Sequence, residues 1–133
     1  MTNVTIDIGN TIISFCMFKK YKLIKHKRIP KDKLDIKVLK ALKKNFFGQY
    51  KIRSLISSVV PSSEKIIKSF FKDNSIDLIS LKDLLKKIDI KTNIKKKEIG
   101  DDRFTNIIYA KKIYKNSVVV IDFGTATTFD VLN

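Results

Sequence analysis

The sequence predicts an α/β domain built on a mixed sheet. Three observations carry that reading. Residues 3–29 read as three consecutive strands, helical and strand periodicities alternate afterwards, and one short hairpin pattern occurs twice, once near each end of the sequence. The first copy is Val4-Thr5-Ile6-Asp7-Ile8-Gly9-Asn10-Thr11, and the second is Val119-Val120-Ile121-Asp122-Phe123-Gly124-Thr125-Ala126-Thr127-Thr128. Each is an apolar strand, then Asp-x-Gly, then small polar residues, then another strand. The copies stand 115 residues apart (122 − 7), far beyond a solenoid period.

The elements follow in order. Residues 3–9 and 12–19 form a hairpin turning at Gly9-Asn10, and Lys22 to Ile29 alternates as a third, half-exposed strand. Pro30 and Asp32 are expected to open a helix running to Phe47, with Leu34, Val38, Leu42 and Phe46 at helical spacing and Gly48 closing it. A buried strand spans 52–59. Pro61-Ser62-Ser63-Glu64 starts a helix that ends near Asp73-Asn74, with Ile66, Ile67, Phe70 and Phe71 on its packed face. A short strand at 76–80 and a short helix at 81–87 precede an extended, lysine-rich connection at 88–99 that has room for one more strand. Gly100-Asp101-Asp102-Arg103 opens a helix to about Tyr114, and a strand at 117–123 leads into the second hairpin.

Each Asp-x-Gly turn suits a phosphate. Gly9 and Gly124 are free to take positive φ and carry no Cβ, so backbone N–H groups approach an anion closely. Asn10, Thr11, Thr125, Thr127 and Thr128 add side-chain donors. Asp7 and Asp122 would repel phosphate directly, and make sense with a hydrated cation between carboxylate and phosphate. A plain hairpin, with Gly and Asn chosen for the turn, explains either copy alone. Two copies with matching strands favour two related lobes that grip one nucleotide. In Gly100-Asp101-Asp102-Arg103 an aspartate at a helix start has a simple capping explanation. The arginine does not, because a cation is misplaced in a first turn. A substrate clamp accounts for both: Asp102 takes a hydroxyl proton as general base and Arg103 holds an anionic group.

Composition narrows the classes. The chain has 133 residues and a net charge of +15, from 28 basic and 13 acidic residues. The positive charge is mostly lysine spread over nearly every segment, which describes a solvated basic surface with some attraction for anionic ligands such as ATP, not a nucleic-acid stripe. No run of about 18 apolar residues suggests a membrane span, and no signal peptide is expected. One cysteine, Cys16, fits a reducing cytoplasm, and the one histidine, His26, lies in a lysine-rich strand, where neither a His/Cys metal site nor a Ser-His-Asp triad is expected.

The motifs Asp7-Ile8-Gly9-Asn10-Thr11, Ser57-Ser58-Val59-Val60-Pro61, Gly100-Asp101-Asp102-Arg103-Phe104-Thr105-Asn106 and Asp122-Phe123-Gly124-Thr125-Ala126-Thr127-Thr128 occur in this order. Together they resemble the type III pantothenate kinase family, within the actin, heat-shock chaperone and sugar-kinase-like superfamily of ribonuclease H-like lobes. The resemblance implies ATP-dependent phosphorylation of the 4′-hydroxyl of pantothenate, the first step of coenzyme A synthesis. By that resemblance Asp7, Ile8, Gly9, Asn10, Thr11, Ile12, Ile13 and Ser14 contact ATP, as does Thr125. Gly100, Asp101, Asp102 and Arg103 contact pantothenate, with Asp102 as proton acceptor. Asp122 binds the monovalent cation, potassium or ammonium, and Asp7 holds the nucleotide's magnesium through water.

It also implies that residues 1–116 form the first ribonuclease H-like lobe and residues 117–133 only open a second, truncated one. A homodimer or a complementary chain is then expected to complete the protein. The strand edges and apolar surface at Val131-Leu132-Asn133 are expected to make a lone monomer poorly soluble. The stretch Asn93 to Ile99 lacks the aromatic residue that family members carry before the Gly-x-Asp-Arg motif. A non-catalytic nucleotide-binding protein, or a transcriptional accessory factor of the same family, is the alternative.

Overall fold

β1 (Thr2–Ile8) alternates without exception: Thr2, Val4, Ile6 and Ile8 are buried while Asn3, Thr5 and Asp7 are exposed. That period of two fixes which face of the sheet meets the core. The computed structural model describes residues 1–88, 91–93, 99–123 and 126–133. They fall into two compact units, Met1–Lys87 and Ile88–Asn133.

In the first unit β1 pairs antiparallel with β2 (Ile12–Lys19), and β2 pairs antiparallel with β3 (Lys22–Pro30) across the turn Lys20-Tyr21. The β2–β3 register shifts between Met17 and Phe18. On its other side β1 pairs in parallel with β4 (Ile52–Ser58), from Thr2 opposite Ile52 to Ile8 opposite Ser58, and β4 pairs in parallel with β5 (Asp77–Ser80). The order β3-β2-β1-β4-β5, an antiparallel meander extended by two parallel strands, is the mixed sheet of a ribonuclease H-like lobe.

Two helical segments cover the inner face. The first starts later than the sequence suggests. Pro30 ends β3 opposite Ile12, Lys31–Lys33 form a single 3₁₀ turn, and α1 is Ile36–Leu42. Its N-cap is Asp35, whose carboxylate accepts from Val38 N at 2.7 Å. A π turn, Lys43–Phe47, continues it and ends at Gly48, where φ is 58°. The wider turn lets the neighbours Phe46 and Phe47 both point inward, so the core residues are Leu39, Leu42, Phe46 and Phe47, while Leu34 and Val38 are only partly buried. Lys25 closes this turn. Its Nζ donates to Phe46 O at 3.0 Å and lies 5.6 Å from the Tyr50 ring centre.

α2 (Pro61–Asp73) buries Ser63, Ile67, Phe70 and Phe71; Ile66, expected on this face, is exposed because it lies one residue round from Ile67. The helix ends as a Schellman turn, with Ile76 N donating to Phe71 O, Ser75 N donating to Lys72 O, and Ser75 at φ 53°. Phe47 sits at the centre of the core, its ring centre 6.4 Å from Phe15, 5.5 Å from Phe46 and 5.8 Å from Phe71, all edge-on. The short helix α3 (Leu81–Leu85) follows β5 and buries Leu81 and Leu85.

The second unit contains α4 (Asp101–Ile113) and the antiparallel hairpin β6 (Val118–Phe123) and β7 (Thr127–Leu132). Among the described residues, Ile99, Phe104, Ile107 and Ala110 are its buried ones. The strand expected within 88–99 falls largely on residues outside the described ones. Among the described residues no helix is long and apolar enough to cross a membrane.

Two stability changes follow. Phe47→Ala should cost about 3–5 kcal/mol in urea unfolding, through lost burial and the cavity it leaves. Ser75→Gly should stabilise by about 0.5–1 kcal/mol, because glycine takes the left-handed cap conformation without a Cβ penalty; a lower urea midpoint would contradict this account of the turn.

Candidate functional site

The first Asp-x-Gly turn lies at the end of the sheet where β1 and β4 both finish. Gly9 N donates to Ile12 O at 3.0 Å and closes the turn, leaving Asn10 and Thr11 exposed. Gly9 does not use the freedom to take positive φ that the sequence reading allowed it. Its need for glycine is spatial: a Cβ there would stand 3.3 Å from Ile12 O, against the atom that closes the turn. Ile8 and Ile13 are wholly buried, so a ligand at this turn meets only their backbone. Asp7 is exposed, flanked in register by Ser14 on β2 and Ser57 on β4.

Two further contacts tie other segments to this end. Val59 N donates to Ile8 O at 3.1 Å, and Lys31 N donates to Thr11 O at 2.8 Å. The first brings the start of α2 beside the turn. The Ser58 hydroxyl folds back on Val60, accepting from its N at 3.0 Å, and no side chain caps α2. The first-turn amides of α2 therefore stand at the same end of the sheet as Asn10 and Thr11, an arrangement that favours an anion. Arg28, opposite Ser14, and Lys31 add positive charge there.

The second constellation belongs to α4 and its hairpin. Gly100 is the N-cap and offers no side chain, so neither aspartate caps from that position. Asp102 is exposed, and its Oδ1 accepts from Arg103 N at 2.8 Å. A Cβ on Gly100 would come within 2.5 Å of that oxygen, so the glycine makes room for the carboxylate. Asp101 uses its backbone oxygen to accept from Thr105 Oγ1 at 2.7 Å. Arg103 turns towards β7, where Nη2 and Nε donate to Asp130 Oδ1 and Oδ2 at 2.5 and 3.1 Å. That hydrogen bond raises the pKa of the guanidinium, against a smaller opposing effect of burial, and the charges of Asp130 and Asp102 add to it. A raised base contributes stability that is lost only as pH climbs through its folded value, so the pair holds through the whole physiological range.

One turn along α4, Asn106 Nδ2 donates to Asp122 Oδ2 at 3.3 Å. Opposite Asp122 on β7 is Thr128, whose Oγ1 is shielded from solvent and has no hydrogen-bond partner among the described residues. A carboxylate facing a hydroxyl with unspent lone pairs is a set of hard oxygen donors suited to a monovalent cation or a water. Thr125 and Gly124 lie outside the described residues. Among the described residues no three His, Cys, Asp or Glu side chains gather into a metal cluster.

A family model described as type III pantothenate kinase matches residues 3–133. The chain belongs to the type III pantothenate kinase family. It is 34% identical over 131 residues to a type III pantothenate kinase of Thermosipho melanesiensis, covering 97% of this chain and 53% of that protein. It is 30% identical over 151 residues to one from Endomicrobium trichonymphae, covering 98% and 56%. It is 34% identical over 143 residues to one from Listeria monocytogenes, covering 95% and 52%. The chain spans about half the length of the curated relatives it matches. A solved structure of the Aquifex aeolicus PPX-GPPA enzyme aligns with a TM-score of 0.48 at 15% identity, over 98% of this chain and 48% of that one.

Within this family member the structure adds residues to which the sequence motifs assigned no role. Ser57 stands beside Asp7 only because β4 runs parallel to β1 in that register. Asp130 and Asn106 engage Arg103 and Asp122 across the second unit. The available signal for Asp130 was its charge: it is the one charged residue of β7, at one of the half-buried positions Thr128, Asp130 and Leu132.

The unpartnered hydroxyl makes Thr128→Val informative. The valine keeps shape and strand preference while removing a desolvated polar atom, so stability should rise by about 1 kcal/mol in potassium-free buffer. A fall in the urea midpoint would mean that the hydroxyl is satisfied.

Proposed function

We propose that this chain carries the nucleotide-phosphate turn and the substrate-activating residues for transfer of the ATP γ-phosphoryl group to the 4′-hydroxyl of pantothenate. The observation that carries the reading is Asp102 in a chain of this family: an exposed carboxylate at the start of α4, anchored by one oxygen to Arg103 N at 2.8 Å, beside a glycine that leaves it space.

In this reading Asp102 accepts the hydroxyl proton as the substrate oxygen bonds to the γ-phosphorus. The bond from that phosphorus to the β–γ bridging oxygen breaks, and ADP leaves with the electron pair. The proton then passes to water. A base placed in this way contributes roughly 10²–10⁴-fold, and positioning with charge neutralisation contributes most of the rest. Gly100, Asp101 and Arg103 complete the pantothenate contact, with Arg103 as the cation for its carboxylate. The turn from Asp7 to Ser14 holds ATP phosphates through backbone N–H groups and the side chains of Asn10 and Thr11, and Thr125 adds a contact to ATP.

The donor sets fit the implied ions. Asp7 offers hard carboxylate oxygens next to a phosphate turn, as suits magnesium held through water. Asp122 with the unpartnered Thr128 hydroxyl suits potassium or ammonium. Bound there, the ions would supply neutralising charge to the phosphates. We assign residues 1–116 to a first lobe and 117–133 to the opening hairpin of a second. A second copy or a complementary chain is the expected partner, in the cytoplasm, with no nucleic acid or membrane involved.

The test is an ATP- and potassium-dependent pantothenate phosphorylation assay on this chain. Asp102→Asn should lower kcat by roughly 10²–10⁴-fold with ATP affinity unchanged. Gly100→Ala should also lower kcat while leaving the thermal midpoint nearly unchanged, because the new methyl displaces only the flexible end of Asp102. Equal turnover by wild type and Asp102→Asn would remove the base assignment. ATP binding without turnover in either would favour a non-catalytic nucleotide-binding or transcriptional accessory role.

A further inference from the structure

Arg103 enters the proposed function as the cation for a substrate carboxylate, yet its guanidinium already holds a carboxylate from its own unit. The pair with Asp130 is two-pointed, Nη2 to Oδ1 at 2.5 Å and Nε to Oδ2 at 3.1 Å. The two side chains are 27% and 10% exposed. Asp130 occupies an inward position of β7, flanked by the exposed Phe129 and Val131. Strand formation does not call for a carboxylate there. An apolar side chain would avoid the desolvation of two charges, and replacing such pairs by apolar residues often leaves stability unchanged or improved. A role in orientation accounts for the pair better than a role in stability.

The geometry supports that role. Both bonds use the Nε–Nη2 edge, which fixes the plane and rotation of the guanidinium and leaves Nη1 for another acceptor. Arg103 and Asp130 line a groove of about 530 Å³ that also takes Lys91, Asn93 and Lys111 from the same unit. Among the described residues the groove is therefore basic, with one acidic side chain, and that side chain is bound to the arginine. A free arginine side chain would lose rotamer freedom on capturing a ligand; one already clamped has less to lose.

We propose that Asp130 is a positioning residue for Arg103, holding the side edge of the guanidinium so that its open end presents to the carboxylate of the substrate. The proposal rests on the reading of Arg103 as a pantothenate contact. It differs from a simple staple between α4 and β7, which would affect folding and both ligands alike.

The test is calorimetric titration of the whole chain with pantothenate and, separately, with ATP, alongside thermal unfolding, for wild type, Asp130→Asn and Asp130→Glu. Asp130→Asn should weaken pantothenate binding by roughly tenfold or more, the scale of a charge-assisted hydrogen bond. ATP affinity should stay within about twofold because the lesion is confined to the carboxylate contact. Asp130→Glu, which keeps the charge, should recover part of the loss. Wild-type pantothenate affinity in Asp130→Asn would overturn the proposal and leave the functional reading standing. Parallel loss of both ligands with a lowered thermal midpoint would reduce the pair to a staple and overturn it too. A wild-type chain that binds ATP but no pantothenate would overturn the functional reading and this proposal together.

Discussion

The parallel pairing of β1 with β4 is the contact on which the first unit depends. β1 is held along its full length on both sides, by β2 and by β4, and all seven of its residues have a partner on β4. The pairing places Ile8 level with Ser58, so Val59 N reaches Ile8 O and the start of α2 arrives beside the Asp7 turn. A slip of one residue would invert the pattern, sending Asp7 inward and Ile6 and Ile8 to solvent. Register, core and the Asp7 turn are thus set by the same alignment. The core below it, centred on Phe47, resists such a slip because the inward side chains are close-packed against α1 and α2.

The second unit solves a different problem. A two-stranded hairpin is marginal by itself, and β6–β7 gains its support from α4. Ile107 and Ala110 are among the few buried apolar side chains on that helix, and two polar contacts supplement them, Arg103 with Asp130 and Asn106 with Asp122. Arg103 and Asp122, two of the candidate site residues, thus each meet a side chain from a facing element of their own unit. A substitution at Arg103 or Asp122 removes a contact within the unit as well as a proposed ligand contact, so kinetic effects there are best read beside a stability measurement.

Much of the fold was legible in the sequence because its signals are local. Apolar stretches on either side of Gly9-Asn10 marked β1 and β2, Pro61 marked the first residue of α2, and Gly48 marked the end of the segment that precedes β4. The errors arose where two local signals competed or where a partner was distant. Pro30 and Asp32 looked like a helix opening, but Pro30 completes the β3 pairing and Asp35 supplies the cap. The π turn that carries Phe46 and Phe47 inward has no regular period to announce it. Of the two uses expected for Gly9, a left-handed conformation and the space of a missing Cβ, only the second appears. The motifs identified Asp7, Gly100, Asp102, Arg103 and Asp122, each beside a glycine or within a short pattern. Ser57 and Asn106 lie within the quoted motifs and Asp130 is the one charge on its strand, but their partners Asp7, Asp122 and Arg103 are set by register and helix packing, which no local pattern encodes.

The strand order also has a consequence in time. The meander of β1, β2 and β3 is complete once synthesis reaches Pro30, and its turns are short enough to form at once. At that stage Val4, Ile6, Ile13, Phe15 and Met17 share one uncovered face, because Leu39, Phe47, Ile56, Ile67 and Phe71 have yet to be made. A chain that formed the meander first would carry an apolar sheet surface until α2 was available to cover it, an interval set by the residues from Lys31 to Phe71.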